Sequence, residues 1–549
     1  MIRSVFCLLV LFAIVSCAKQ GIPTGGDKDI YPPKFLKSFP DTLSRNVPIN
    51  IKEIRIDFDE YIVLKDVQKQ ITISPPFKNS PIILPTQNSP KKYISIAIKD
   101  SLQPNTTYNI NFGESIQDNT ESNKLDNFSY IFSTGKTIDS LTVSGKISRS
   151  FSDDVNLKTI IALYKKDTAE IDLNKKPFYI TKIDSAGNYK LKYLSAGKYQ
   201  LIAFTDEDFN SRYESNKEEF GFSSDIIDLN SNSTKNVVLF KASEPYKVVS
   251  IKQDGQGKFI ITTNGKPKNI KAKPLYDGFP EKYYQTHKAR TDSTFIWFNP
   301  KNAKFEQTNQ RVKFVVEFEN KKDTISTLYD SKKVTKLIVS NDPKEMTPGE
   351  VVVFKFNNYI ESVDESKITI KKTKALRSDE EMVKKGENPV TEDVKFSVEL
   401  NKENNTELQL KFPIEFERKY SIDIQPNAFI DILGNLNDSL VHSFTTKAKN
   451  EYGNLKLLLQ NEPKKPFFLQ LLQQNSVVKE VYGNKNEIEF TNLLPGEYSF
   501  RILVDENENA VWDTGDFKTK KQAEKTYSSP NIVTIRAFWD VNESWILTD

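Results

Sequence analysis

Side-chain oxygens recur near the C-terminus with the spacing of a metal-binding loop. They fall at positions 1, 3, 5, 9 and 12 of residues 505–516, and Val511 offers a backbone carbonyl at position 7. Calcium takes six to eight hard oxygen ligands, and a tightly turning loop can supply them. The predicted ligand side chains are Asp505, Asn507, Asn509, Asp513 and Asp516.

This loop departs from a strong calcium site at two positions. Ala510 stands at position 6, where glycine eases the turn, and Asp516 at position 12 is shorter than a bidentate glutamate. The flanking residues have the pattern of strands rather than helices. The alternative is an acidic turn whose Asp and Asn side chains cap their own backbone. An earlier copy of the pattern is a weaker candidate and contains Asp206, Asp208, Asn210 and Glu214, with Lys217 at position 12.

Other chemistry has little support in the residue types. The two histidines, His287 and His442, are too few for a Ser-His-Asp triad or a His-rich zinc site without an unusual geometry. The sequence contains no Gly-rich phosphate loop ending in Lys-Ser or Lys-Thr. Carboxylate pairs with glycosidase separation are a three-dimensional property that the sequence leaves open. We therefore expect a protein that is not an enzyme, with a hydrolase as the least favoured alternative.

The N-terminus predicts how the chain is held in the cell. Arg3 precedes an apolar run, residues 5–15, that is too short to span a bilayer as a helix. The run ends in Ile14-Val15-Ser16-Cys17, which resembles the lipobox cut by lipoprotein signal peptidase. The resemblance implies a signal peptide at residues 1–16 and acyl chains, such as palmitate, on Cys17. The alternative is an ordinary secretory signal with an incidental cysteine.

The cysteine count agrees with an acylated anchor. Cys7, the only other cysteine, lies inside the expected signal peptide, so the mature chain would form no disulfide. Several acyl chains give stable membrane attachment. Ala18 follows the cysteine, whereas Asp there resembles an inner-membrane retention signal, so the outer membrane is favoured. Residues 17–29 form the expected tether, and the sequence leaves open whether the protein faces the cell surface or the periplasm.

Composition indicates several soluble, β-rich modules. The 549 residues exceed what one hydrophobic core organises. The 36 Phe and 22 Tyr, together with short alternating Ile and Val runs, are typical of strands. The formal net charge of +4 is the small difference between 77 basic and 73 acidic side chains spread along the chain. With no basic arm or stripe, nucleic acid is not expected as a partner.

The first two modules each resemble a known sandwich family. In the first, residues 102–108 (LQPNTTY), Asp118 and residues 132–135 (FSTG) resemble the bacterial Ig-like domain of surface-layer proteins. With the lipobox, this opening is similar to Ig-like lipoproteins of Bacteroidota. In the second, residues 194–199 (LSAGKY) follow a strand and a glycine turn, which resembles prealbumin-like sandwiches of carboxypeptidase regulatory domains.

The chain then repeats this pair of modules. The motif of residues 194–199 recurs at residues 493–498 (LLPGEY), and the early Asp-x-Asp-x-Asn pattern recurs at the same offset of 299 positions. Between the first and fourth modules, at different offsets, Tyr108 and Asp118 are matched by Tyr420 and Asp431. The repeat predicts an all-β fold of tandem Ig-like and prealbumin-like β-sandwiches on an N-terminal lipid tether. The predicted modules are residues 30–136, 137–241, 242–333 (a divergent sandwich), 334–447 (with a charged insertion at 371–394) and 448–549.

Two further patterns concern modification and ligand binding. Asp followed by Ser or Thr and then by a small or aliphatic residue resembles the O-glycosylation sequon of secreted Bacteroidota proteins, although Asp-Ser and Asp-Thr pairs also start turns. The candidate sites are Thr42, Ser101, Ser140, Thr168, Ser185, Ser293, Thr324 and Ser439. The tryptophans could stack on sugars, but in a small sandwich they are more often core residues. We expect Trp512 to pin the acidic loop to its sheet.

These features predict a binding and scaffolding protein. The favoured role is a non-catalytic lipoprotein subunit of an outer-membrane β-barrel complex that assembles or secretes other proteins. The alternative is a surface protein that binds glycans or acts as an adhesin. Because fold alone does not give function, the identity of the partner complex stays open, as does the oligomeric state.

Overall fold

The computed structural model describes most of the chain beyond the N-terminal segment. The described residues are 28–152, 154–166, 170–214, 218–242, 247–265, 267, 269–287, 291–305, 310–318, 321–341, 345–374 and 390–548. The predicted signal peptide and the predicted lipidation site, Cys17, lie outside them. Thr168 and most of the expected charged insertion, residues 375–389, also lie outside them.

The chain divides into two compact units. Unit 1 contains the described residues up to Ser148 and those from Asp154 to Leu239. Unit 2 contains the short segment from Arg149 and the residues from Phe240 onward. Within the described residues, five separate clusters of buried hydrophobic side chains form the cores, two in unit 1 and three in unit 2. The predicted all-β class of tandem sandwiches is confirmed, while the module boundaries stay a prediction.

The first sandwich shows why this sequence forms strands. Along β2, Ile54, Ile56 and Phe58 are buried and the residues between them face outward, as the two-residue period of a strand requires. One sheet has the order β1-β2-β5-β4 with β7 beside β2, and the other has the order β3-β6-β8. The elements are β1 (Phe35–Phe39), β2 (Glu53–Leu64), a short helix α1 (Val67–Gln70), β3 (Thr72–Ser74), β4 (Ile82–Leu84), β5 (Lys91–Ala97), β6 (Thr107–Asn111), β7 (Ile116–Asp118) and β8 (Ser129–Ser133).

The second sandwich positions the first of the two acidic loops. Its strands are β9 (Leu141–Arg149), β10 (Thr159–Lys165), β11 (Tyr179–Lys182), β12 (Asn188–Leu194), β13 (Gly197–Thr205), β14 (Phe220–Phe222), β15 (Ile227–Leu229), β16 (Ser233–Thr234) and β17 (Val237–Leu239). One sheet has the order β11-β10-β13-β14, with β15 beside β13; the other has the order β12-β9-β16, with β17 beside β9. The acidic loop joins β13 to β14, so it begins at the end of a central strand.

The third sandwich has an aromatic core. Phe259 stacks on Phe298 with ring centroids 5.5 Å apart, and Phe314 meets Phe259 edge-on. Its sheets have the orders β18-β19-β22-β21 and β20-β23-β24. The elements are β18 (Lys247–Gln253), β19 (Lys258–Asn264), β20 (Ile270–Pro274), β21 (Tyr283–His287), β22 (Ser293–Phe298), a 3-10 turn (Pro300–Asn302), β23 (Gln310–Phe318) and β24 (Lys321–Tyr329).

The fourth sandwich carries the expected insertion between two paired strands. β28 and β29 pair antiparallel, with Lys371 opposite Asp393. Its sheets have the orders β25-β26-β31-β30, β29-β28-β32-β34 and β27-β33. The elements are β25 (Val339–Ser340), β26 (Val352–Phe356), β27 (Ile360–Val363), a 3-10 turn (Glu365–Lys367), β28 (Ile368–Lys374), β29 (Thr391–Asp393), β30 (Ser397–Leu400), β31 (Glu407–Lys411), β32 (Arg418–Ile424), β33 (Phe429–Asp431) and β34 (Leu440–Thr445).

The fifth sandwich positions the second acidic loop between β39 and β40. Its sheets have the orders β37-β36-β39-β40, with β41 beside β39, and β38-β35-β42. After a 3-10 turn (Lys449–Glu451), the strands are β35 (Gly453–Gln460), β36 (Phe467–Gln473), β37 (Ser476–Gly483), β38 (Glu487–Leu493), β39 (Gly496–Val504), β40 (Thr526–Ser528), β41 (Val533–Ile535) and β42 (Asp540–Ile546).

The repeat of the first sandwich in the fourth extends to individual hydrogen bonds. The buried Tyr108 hydroxyl accepts from the Gln103 backbone N–H at 2.8 Å, and the Tyr420 hydroxyl accepts from the Glu415 N–H at 2.8 Å. Tyr108 stacks on Phe132 and Tyr420 on Phe444, with centroids 5.2 Å and 4.9 Å apart. Each tyrosine therefore ties the loop before its strand to the sandwich core.

Candidate functional site

The two acidic loops occupy equivalent places in the second and fifth sandwiches. The early loop, residues 206–219, leaves β13 and returns as β14. The late loop, residues 505–525, leaves β39 and returns as β40. In each case the two strands pair antiparallel, so each loop is closed at its base by a sheet ladder. The sequence-predicted ligands therefore lie on loops anchored at both ends.

The first acid of each loop caps the turn that follows it. Asp206 is buried, and its carboxylate accepts from the backbone N–H of Asn210 at 2.9 Å and of Ser211 at 3.0 Å. Asp505 is also buried and accepts from the N–H of Asn509 and Ala510 at 3.0 and 2.7 Å. Asp505 accepts a further hydrogen bond from the Tyr482 hydroxyl. Both aspartates thus accept from backbone donors of the turn that follows them.

A buried glutamate closes the far end of each loop. The Glu218 carboxylate accepts from the N–H of Glu207 at 3.0 Å and of Glu214 at 2.7 Å. The Glu524 carboxylate accepts from the N–H of Glu506, Asn507 and Asp513 at 3.0, 3.3 and 2.7 Å. Each glutamate thus accepts backbone hydrogen bonds from two separate parts of its loop.

Sequence reasoning missed both glutamates. Glu218 follows Asp206 by 12 positions, whereas Glu524 follows Asp505 by 19, so an ungapped comparison of the two copies does not align them. Both lie outside the twelve-residue windows that were matched to a calcium loop. The available signal was acidic side chains just before the returning strand of each copy, Glu218 and Glu219 in the early loop and Glu524 in the late loop.

The middle of the two loops differs in charge. In the early loop, carboxylate oxygens of Asp206, Asp208 and Glu218 all lie within 4.8 Å of one another. It is the one group of at least three potential metal ligands of this kind within the described part of the chain. Three carboxylates so close together repel one another, and a bound cation or proton would relieve that repulsion.

In the late loop, an amide side chain stands in place of one of these carboxylates, and Asp513 is hydrogen-bonded by protein groups. Asn507 stands where the early loop has Asp208, and its amide donates to Asp513 at 2.6 Å. The Asn509 amide donates to the same Asp513 oxygen at 2.9 Å, and the Lys521 ammonium lies 3.3 Å from it. The Asp513 carboxylate is therefore satisfied by protein groups. A cation bound there would have to displace some of them.

Asp516 does not join the other predicted ligands in a three-carboxylate group. Its carboxylate accepts from the Lys518 N–H at 2.9 Å and from the Thr519 hydroxyl at 3.0 Å, and its backbone bridges to Lys521. These bonds close a short turn of their own. Calcium at the five predicted late-loop residues stays a prediction.

The pKa shifts of the loop carboxyls agree with this difference in charge between the two loops. Burial raises the pKa of Asp206 and of Glu218, and neighbouring carboxylates raise both further. Burial also raises the pKa of Glu524. For Asp513, burial raises the pKa, but the hydrogen bonds from Asn507, Asn509 and Lys521 outweigh it and bring the pKa below its usual value. The early loop therefore favours a proton or a cation more than the late loop does.

Trp512 joins the middle of the late loop to its far end and contacts a neighbouring segment, rather than its sheet. Its indole N–H donates to the Glu524 backbone carbonyl at 3.0 Å. Its ring packs edge-on against Phe151 of the short segment in the same unit, with centroids 4.5 Å apart. Trp297 and Trp545 are buried, whereas Trp539 is exposed beside Arg536.

The histidines and most glycosylation candidates have simple surroundings. The His287 ring nitrogens contact the Thr294 hydroxyl at 2.9 Å and the Pro267 carbonyl at 2.8 Å, and the His442 ring lies near Phe354. Of the glycosylation candidates, Thr42 and Ser293 are half-buried. The exposed ones are Ser101, Ser140, Ser185, Thr324 and Ser439.

The comparisons with known proteins identify one domain. Residues 29–134 match the bacterial Ig-like domain family. No curated protein matches the chain. Within the described part of the chain, no helix combines the length and apolar character needed to cross a membrane.

Several solved structures resemble the chain at low sequence identity. A six-domain structure of the surface layer protein SbsC has 10% identity, covers 88% of this chain and 67% of its own, and has a TM-score of 0.13. The major pilin subunit of Bacillus cereus has 12% identity, covers 74% and 99%, and has a TM-score of 0.13. The Bacillus anthracis TIE protein has 8% identity, covers 96% and 76%, and has a TM-score of 0.15. At these TM-scores the neighbours carry no argument about function.

Proposed function

We propose that this protein is a non-catalytic lipoprotein of the outer membrane that binds and scaffolds a β-barrel protein complex. Two features support the proposal. The Ile14-Val15-Ser16-Cys17 ending resembles a lipobox, and the described residues hold five sandwich cores in one chain. A long chain of small β-domains behind one anchor provides a large binding surface.

The observation that carries a binding role is the use of the buried carboxylates. Asp118 accepts four backbone N–H groups, those of residues 120–123, at 2.6 to 3.0 Å. Asp431 accepts from the N–H of Leu433 and Asn435, at 2.9 and 2.8 Å. In the described residues, these acids shape loops instead of facing a substrate. Such loops are the usual contact regions of sandwich domains.

The anchor is tested by Cys17→Ser. We expect this variant to move from the membrane to the soluble fraction, because the acyl chains on one sulfur would be the membrane attachment. Ser16→Thr, which leaves the acceptor sulfur in place, is the matched control. A Cys17→Ser protein that stays in the membrane fraction would contradict the lipid anchor.

Scaffolding is tested by purifying the tagged chain from native membranes in mild detergent. We expect a β-barrel membrane protein to copurify in fixed ratio, and to do so again when the tag is placed on that barrel. A chain that elutes alone from both membranes and cross-linked cells would contradict a complex subunit.

A second candidate role, glycan binding, is favoured by one local observation. Phe538 and Trp539 are adjacent and exposed, and the Arg536 guanidinium lies 4.9 Å from the Trp539 ring centroid. Exposed aromatic rings can stack on sugars. Binding of surface polysaccharide that is lost in Trp539→Ala and kept in Ile546→Ala would support this role.

A further inference from the structure

One edge of the first sandwich exposes an unusual density of large apolar side chains. Between residues 28 and 49, the exposed large apolar side chains are Ile30, Tyr31, Leu36, Phe39, Leu43 and Ile49. Phe39 and Ile30 are 74% and 70% exposed, well beyond a partly covered core residue. Scattered exposed apolar residues are ordinary, but a run of them along one edge marks a contact surface.

The pairing of the chain places the middle of this run on one side of the sandwich. β1 is the edge strand of its sheet and pairs with β2. The chain then crosses to the other sheet, where the Leu43 N–H donates to the Ile131 carbonyl and the Val47 N–H to the Ser133 carbonyl, beside β8. Leu36, Phe39 and Leu43 therefore follow the open edge from one sheet to the other.

The edge strand is not shaped for a partner strand. The β1–β2 register shifts between Phe35 and Lys37, so Leu36 is an extra residue at a bulge. A bulge and lysines on an edge are devices that hinder strand addition. An occupant that contacts side chains without requiring backbone pairing fits this edge better than a protein strand does.

Charge and chain length indicate a lipid surface as the occupant. Residues 30–43 contain two basic side chains (Lys34 and Lys37) against one acidic one (Asp41). Aromatic and basic residues together favour the headgroup region of anionic membranes. Cys17 precedes Ile30 by 13 residues, a separation of at most about 45 Å even for extended chain. A lipidated Cys17 would thus keep this edge close to the bilayer.

We infer that the edge formed by residues 30–43 is a second, non-covalent contact with an anionic lipid surface. The inference rests on the proposed anchoring at Cys17 for its biological setting. Tethering gives such a contact an effective concentration in about the millimolar range, so weak intrinsic affinity suffices to hold the first sandwich against the membrane.

The test uses a chain that starts at Ala18 and therefore contains neither native cysteine. A polarity-sensitive fluorophore is attached at Phe39→Cys, and an N-terminal histidine tag tethers the protein to vesicles of phosphatidylethanolamine and phosphatidylglycerol with a nickel-chelating lipid. The matched control carries the fluorophore at Val477→Cys, also an exposed apolar position on an edge strand, β37. We expect a blue shift at position 39 and none at position 477.

Untethered vesicle binding gives a second readout. We expect Leu36→Ser with Phe39→Ser to lower partitioning about tenfold, since two apolar side chains leave the lipid interface. Lys34→Glu with Lys37→Glu should lower binding to anionic vesicles, and phosphatidylcholine vesicles should bind weakly. Val477→Ser with Val478→Ser should change neither. Unchanged melting temperatures show that the variants are folded.

The outcomes separate this inference from the proposed anchor. No shift at position 39 on tethered vesicles, or equal shifts at both positions, overturns the lipid contact and leaves the edge to a protein partner. That result does not depend on lipidation, because the nickel lipid replaces the acyl chains. Conversely, failure of Cys17→Ser to release the protein bears on the anchor alone.

Discussion

The early and late loops share a backbone frame but differ in the charge that the frame encloses. Both begin with a buried aspartate that caps the next turn and end with a buried glutamate that accepts backbone N–H groups. In the early loop, Asp208 joins these two end acids in a group of three carboxylates, whereas in the late loop Asp513 is paired with two amides and a lysine. The comparison teaches that the first and last acids are structural, and that the middle residues decide what each loop can bind.

The largest expected effect comes from removing the glutamate of either loop. Glu524→Ala leaves three backbone donors without an acceptor and should lower the free energy of unfolding by about 3 kcal/mol, whereas Glu218→Ala leaves two and should cost about 2 kcal/mol. Thermal melts and hydrogen exchange of the loop amides measure the difference. Glu→Gln at each position keeps a carbonyl acceptor and should lose less. Small and equal losses of unfolding free energy in Glu524→Ala and Glu218→Ala would contradict the structural role assigned to these glutamates.

Calcium should separate the two loops next. Calcium at about 1 mM should stabilise the wild-type chain by about 0.4 to 1.4 kcal/mol per bound ion, given a Kd of roughly 0.1 to 1 mM as in extracellular modules. We expect Asp208→Asn, which copies the late loop, to remove most of this gain and Asp505→Ala to remove the remainder. Melts with calcium and with chelator measure it. Coincident wild-type melts would reduce both loops to acidic turns.

Acid should also act with opposite sign on the early-loop acids Asp206 and Glu218 and on Asp513 of the late loop. A carboxyl whose pKa is raised on folding adds stability as the pH falls through that pKa, and the gain is complete below the ordinary values of 4.5 for Glu218 and 3.8 for Asp206. Asp513 has a lowered pKa, so its contribution is present above 3.8 and is lost as the pH falls through the lowered value.

Two neutral variants test these signs. Glu218→Gln should reduce the gain on mild acidification, and Asp513→Asn should reduce the loss at lower pH. Melting temperatures between about pH 7 and pH 3 measure both changes. A Glu218→Gln chain with the same pH profile as the wild type would contradict the sign assigned to the early loop.

The smallest effect is expected from the surface ion pairs beside the loops. Lys158 pairs with Glu207 at 2.5 Å and Lys465 with Glu508 at 2.6 Å, and all four side chains are well exposed. Solvent screening makes such pairs weak, so Lys158→Ala and Lys465→Ala should each shift the melting temperature by less than about 1 °C. A shift of several degrees in the melting temperature of only one variant would show that the surface ion pairs of the two loops differ in strength as well.

The fold class could be predicted because alternation is a local property. Residues such as Ile54, Ile56 and Phe58 have the strand period in the sequence itself, and the matching Tyr108 and Tyr420 motifs indicated repeated sandwiches. The partners of Trp512 could not be predicted in the same way, since its ring contacts Phe151, far away in the sequence.

The candidate site could be predicted only in part, because its geometry depends on residues distant in sequence. Glu218 and Glu524 lie at the far ends of their loops, just before the returning strands, and a twelve-residue window excludes them. Asp516 fits the calcium spacing, yet it closes its own turn with Lys518 and Thr519. Spacing fixes the order of candidate ligands but not the direction of their side chains. Lipidation, glycosylation and the partner complex stay predictions.

The buried glutamate at the end of the late loop, Glu524, has a practical consequence for labelling the protein in cells. Because Glu524 fixes the returning strand, the extra residues of the late loop are accommodated without disturbing the β39–β40 ladder. The exposed turn at Lys518 and Thr519 is therefore a suitable insertion point for a short epitope. Antibody staining of intact cells, compared with permeabilised cells, would then reveal the orientation of the protein across the envelope.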